Sequence, residues 1–256
     1  MDGVWLAALS GLIAGGALLA GAAVAWVVDI PKAVVAAIMA VGAGVLISTL
    51  AFELVEEAAQ DGGLVPTSVG FLAGAIIYTV ADWLVSRPRH PRPVQPGPNI
   101  VARRATAPVV GGAGGMAIAL GALIDGIPES IVMGLSVLQV GGLSIPIVAA
   151  VAISNIPEGL ASTAELKRSG EGFGRIALLW SSIAAITVVA SVVGFLAFES
   201  APVGLIAVIT TIAAGGLLAM VCNTMIPEAF DEQQILTGLW ATIGFLAAFV
   251  LHELAG

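Results

Sequence analysis

Charge is what this sequence has least of. Lys, Arg, Asp and Glu make up 10% of its 256 residues, against about 25% in an ordinary soluble domain. With 59% hydrophobic residues, too few polar side chains remain to cover a water-facing globule. The shortage excludes a soluble domain and points to a chain that crosses a bilayer several times. The single cysteine, Cys222, excludes an internal disulfide. The two histidines are His90, in a polar loop, and His252, near the end of an apolar run, so no imidazole is expected inside the membrane. There is no His-Glu-x-x-His motif and no plausible nucleophile–base pair, which argues against a membrane hydrolase. No basic region precedes the first apolar run, "WLAALSGLIAGGALLAGAAVAWVV", and that run is too long for a signal core. It reads as a first spanning helix that stays in the mature chain.

What the sequence has in quantity is long apolar runs. A helix needs about 20 apolar residues to cross the hydrocarbon. Eight stretches qualify, at roughly 4–27, 33–56, 65–86, 108–138, 143–166, 175–198, 203–228 and 236–254. Turn chemistry marks the breaks "DIPK", "DGGLVP", "GGLSIP", "RSGEG" and "ESAP". The expected organisation is one all-α transmembrane domain over 1–256. Residues 87–107 form a flexible Pro/Arg-rich loop, and 108–166 a central helix pair. All nine Lys and Arg residues fall between spans 1 and 2, 3 and 4, or 5 and 6. With eight spans these breaks share one side, which the positive-inside rule makes the cytoplasm. Both termini are then expected outside. Trp5, Trp26, Trp83, Trp180 and Trp240 fall near span ends and read as interfacial anchors.

The tripeptide Ile-Pro-Glu occurs at 127–129, 156–158 and 226–228. In register, "LIDGIPESIVMGLS" (123–136) matches "AISNIPEGLASTAE" (152–165) on two spans that cross in opposite directions. A motif shared by antiparallel helices predicts an inverted repeat. "GVLISTLAFELVEE" (44–57) and "GLLAMVCNTMIPEA" (216–229) give a weaker echo between spans 2 and 7, with Glu56 matching Glu228.

Within these motifs Asp125 and Glu129 stand four residues apart and share a helix face, as do Ser154 and Glu158, with Asn155 close by. Charge at this depth is costly and marks function by default. Pro128 and Pro157 cannot donate to the carbonyls of Ile124 and Ile153, so both helices expose a backbone oxygen. Such oxygens survive at membrane depth only inside the protein or beside a wet cavity. Carboxylates with free carbonyls make a hard, oxygen-rich site suited to a divalent cation, whose binding would compete with protons. The alternative is a pair of neutral glutamic acids bonded to neighbouring helices. Glu53, Asn223 and Glu228 are candidates for the transport pathway on either side of the site. Glu56, Glu57 and Glu228 read equally well as solvated helix ends. Asp82, Glu165 and His252 read as solvated. A proton-coupled carrier of another solute, with the same carboxylates as relay, remains the competing function.

On these residues the chain resembles the ZIP (Zrt/Irt-like protein) family of divalent metal transporters. The resemblance covers eight spans and the long third break, and is most specific at Asp125-Gly126-Ile127-Pro128-Glu129-Ser130 and Ser154-Asn155-Ile156-Pro157-Glu158-Gly159. "NTMIPEAFDE" (223–232) is similar to the end of the family's span 7. The resemblance implies a 3+2+3 inverted-repeat bundle and an elevator-like alternating-access movement. It implies a homodimer in the cell membrane and a site between spans 4 and 5 able to hold two ions. By position it gives Asp125, Glu129, Ser154, Asn155 and Glu158 the ligand roles. Asp125 stands where the family has histidine and Gly126 where it has asparagine, and span 5 brings no histidine. An oxygen-only donor set leans from zinc towards manganese, iron(II), magnesium or calcium. The expected substrate is a divalent cation (Zn, Mn, Fe or Cd), imported without a prosthetic group. Nucleic acid is not an expected partner.

Overall fold

A computed structural model describes residues 2–86 and 113–255. The predicted loop at 87–107, with Arg87, Arg89, His90, Arg92, Arg103 and Arg104, lies outside the described residues. Eight helices among the described residues are long and apolar enough to cross a membrane, and this is a multi-pass membrane protein. In chain order they are α1 (Asp2–Val27), α2 (Lys32–Gly62), α3 (Leu64–Ser86), α4 (Ala113–Val140), α5 (Ile145–Arg168), α6 (Phe173–Phe198), α7 (Val203–Glu232) and α8 (Ile235–Ala255). No strand occurs among the described residues, as expected where every backbone polar group must be satisfied without water.

The turn chemistry acts where the sequence placed it. Pro31 and Pro202 immediately precede α2 and α7, and Ser144 caps α5 by accepting from the Ile147 amide at 3.4 Å. The break between α2 and α3 is shorter than "DGGLVP" suggests. It is the single residue Gly63, whose φ of +83° suits a residue without a Cβ.

α2 and α7 run past their expected ends. Each widens into a π-helical stretch, Leu50–Glu56 in α2 and Val221–Met225 in α7, and then continues as α-helix. Glu53 is therefore inside its helix and buried, rather than near a frayed end. These two stretches fall in the segments matched as "GVLISTLAFELVEE" and "GLLAMVCNTMIPEA". π-helical turns occur often at functional sites.

The spans associate as two sets. α1, α4, α5 and α6 pack on one another, as do α2, α3, α7 and α8. The sets meet where α2 lies against α5 and α4 against α7. The largest apolar cluster fills this boundary, joining Leu46 and Leu50 of α2, Leu217 and Met220 of α7, Val132 and Met133 of α4, and Val151 of α5.

Within the sets the closest packing is backbone on backbone. A methyl at Gly21 of α1 would run into the Ile156 carbonyl of α5, and one at Gly159 into the Leu18 carbonyl of α1. Gly44 and Gly244 face each other's helices in the same way across α2 and α8, and Gly74 and Gly215 across α3 and α7. Helices without a hydrophobic drive to associate rely on such close approach.

Trp180 corrects the reading of the tryptophans. It is fully buried, packed with Leu18, Ala22 and Leu166, and no interfacial anchor. Trp5 and Trp83 do face outward. Trp26 sits at the end of α1 with Phe173 at 5.3 Å and the Lys167 ammonium 5.9 Å from its ring centre. Lys167 also donates to the Trp26 carbonyl and to Asp29, which fastens the end of α5 to the end of α1.

Candidate functional site

Of the three Ile-Pro-Glu motifs, those of α4 and α5 lie in the first set and that of α7 in the second. Glu129 on α4 is buried, and Glu158 on α5 is half-buried. The Glu158 carboxyl lies within electrostatic reach of Asp125, Glu129 and Glu228. The acidic residues of α4 and α5 therefore address one another across the helical gap, joined by one from α7 in the second set. Like charges gathered at membrane depth repel, so the arrangement favours a cation or bound protons among them.

The proline breaks point into the protein. Pro157 is completely buried, and Gly42 of α2 lies against the backbone it disrupts. A methyl at Gly42 would stand 3.2 Å from the Ser154 Cα and 3.6 Å from the Ile153 carbonyl oxygen. That carbonyl, which Pro157 leaves without its usual donor, thus faces the boundary between the two sets. Pro128 is half-buried in the matching position on α4.

The polar side chains around the carboxylates are held by hydrogen bonds. Ser154 donates to the Val151 carbonyl at 2.9 Å, and Ser130 to the Gly126 carbonyl at 2.5 Å. The buried Asn155 amide donates to the Ala14 carbonyl of α1 at 3.1 Å. Its nitrogen is spent on α1, so any ligand role would use its oxygen. Asn155→Ala should lower the melting midpoint only modestly. The Ala14 carbonyl keeps its own helix partner, and inter-helix hydrogen bonds in membranes average about 0.6 kcal/mol. Thermal denaturation in detergent checks this.

Some residues take places the sequence did not assign. Tyr78, the chain's sole tyrosine, is buried on α3 and donates its hydroxyl to Asp125 Oδ1 at 2.7 Å. The same hydroxyl is within hydrogen-bonding reach of Thr224, in the π-helical stretch of α7. Polarity inside the run "GAIIYTVADW" was the only signal available for Tyr78. Asp82, read as solvated, lies one turn further along α3 and has an interaction of its own.

His252, also read as solvated, is paired instead. Its Nδ1 lies 2.6 Å from Glu53 Oε1 and its ring stacks on Phe52 with centroids 5.6 Å apart. The pair joins α8 to α2 within the widened turn of α2. Glu53, a pathway candidate, is thus held by α8. The other two pathway candidates, Asn223 and Glu228, are exposed on α7.

Among the described residues, no three His, Cys, Asp and Glu side chains converge as a ready-made metal-ligand group. One oxygen of Asp125 is taken by Tyr78, and Ser154 and Asn155 are not carboxylates. The chain matches no family model and no curated protein sequence. The likeness to the ZIP family therefore rests on the motif residues themselves.

Proposed function

We propose that the protein is a carrier of divalent metal cations across the cell membrane, working inward by alternating access between its two helix sets. The observation that carries this reading is the gathering of Asp125, Glu129 and Glu228 within electrostatic reach of Glu158 where the sets meet. A dication offsets the repulsion among such carboxylates, and the free carbonyl of Ile153 adds a neutral oxygen. Water-borne cations pass Glu53 on the outer side, shed water, and bind Glu129 and Glu158 with Asp125, Ser154 and Asn155. They leave beside Asn223 and Glu228. Oxygen donors alone suit manganese or iron(II) better than zinc. The carrier works as a homodimer with both termini outside.

The same reading makes the fold an inverted repeat. Its support is the correspondence of packing partners: α1 on α5 mirrors α6 on α4, α2 on α8 mirrors α7 on α3, and the widened turns fall in α2 and α7. Two halves exchanging roles give a fixed site alternate exposure to the two sides.

A proton relay is the second reading, favoured by the lack of a converged three-ligand group among the described residues. Purified protein in sealed vesicles decides between them. Saturable uptake of manganese, competed by iron(II), is expected. Calorimetry that finds no saturable binding of any divalent metal would leave the relay.

A further inference from the structure

Hydrogen bonds between spans mostly stay within one set. Ser191 to Ala7, Asn155 to Ala14 and Lys167 to Trp26 tie the first set to itself. His252 with Glu53, Thr67 to Ala58 and Thr237 to Ala229 tie the second. The bond from Tyr78 on α3 to Asp125 on α4 crosses from the second set to the first.

We infer that Tyr78 is a latch that holds the two sets together in the cation-free protein and lets go when a cation takes Asp125. The inference rests on the metal-carrier reading for what releases the latch, but not for the latch itself. A hydroxyl is a suitable device. It donates its one proton to Asp125 while its oxygen remains free to accept from Thr224. Its second partner, Thr224, belongs to its own set. Anchored to its own set through Thr224, Tyr78 either reaches Asp125 and binds the sets together or does not, the two discrete states that coupling requires. Asp125 cannot give the same oxygen to a cation and to the Tyr78 proton at full strength. Binding of the cation and closure of the latch are thus opposed. The sets separate more easily with cargo aboard than without it, which discourages empty cycling in a carrier. Tyr78 is a positioning residue, since it touches Asp125 and need not touch the cation.

Tyr78→Phe tests this with little change in packing volume. Manganese is the probe, by calorimetry on purified protein and by uptake into vesicles. The Tyr78 bond occupies the Asp125 oxygen that the cation must take, so its loss should tighten the Kd by about tenfold and lower the KM similarly. Hydrogen–deuterium exchange without metal provides the second arm. The amides around 74–82 and 121–129 should exchange about tenfold faster in Tyr78→Phe, with α1 and α6 unchanged. Unchanged or weaker manganese binding overturns the latch, as does unchanged exchange. If the unaltered protein binds no manganese, the carrier reading fails, and the exchange arm alone then decides whether Tyr78 ties the sets together.

Discussion

Manganese uptake should be lost in a protein carrying both Glu129→Gln and Glu158→Gln, while the protein still folds and inserts. Glutamine keeps the size of each side chain and a carbonyl oxygen, so the packing around the buried position 129 is preserved. What disappears is two negative charges that lie within reach of each other. Neither amide carries the charge that balances a dication, so losing two charged ligands should abolish measurable binding. Flux in vesicles should fall to the level of empty liposomes. Each single variant should retain binding in part, because Asp125 and the other glutamate remain. The double variant should also unfold no sooner than the unaltered protein, since it no longer confines like charges at membrane depth. Undiminished uptake by the double variant removes the assignment of these residues and returns the relay to first place.

A methyl group at Gly159 should destabilise the protein sharply, whereas one at Gly16 should not. The Gly159 Cβ would enter the space of the Leu18 carbonyl, and main chain on both sides leaves nothing flexible to yield. Overpacking of this kind costs about 1–3 kcal/mol, occasionally more, and two interlocked helices place it at the upper end. Gly15 gives the same result by another route, because its Cβ would stand 2.9 Å from the Ala184 Cα of α6. Gly16 is the control, with nothing within 4 Å of its added Cβ. There alanine is the better helix former by about 1 kcal/mol, so Gly16→Ala should be neutral or stabilising. Melting midpoints of the variants in one detergent measure the contrast. Equal midpoints would mean that α1 and α5 do not rest backbone on backbone.

The helices were legible because the bilayer imposes a coarse rule. Twenty apolar residues with few charges have little alternative to a spanning helix, and Pro31, Ser144 and Pro202 supply local stops. The motif carboxylates were legible for the converse reason. Glu129 and Glu158 stand out against a background that ought to expel them. What the sequence concealed depends on neighbours. α2 continues beyond Glu56 because α7 lies beside it, and no local propensity announces a π-helical turn. Trp180 looked like an anchor by distance from a helix end, yet its direction of projection decides its place, and it points among Leu18, Ala22 and Leu166. Tyr78 and His252 were passed over because a partner from another helix, Asp125 or Glu53, makes each of them consequential.

The widened turns of α2 and α7 carry a spare residue each relative to regular helix. Were Val221–Met225 to close to ordinary pitch with its residue count unchanged, everything beyond it would rotate by roughly 100° about the axis. Glu228 would then look elsewhere, although the chain would still be helical and still long enough to cross. Which way the lower part of this helix faces is therefore a matter of counting, held by one extra amino acid.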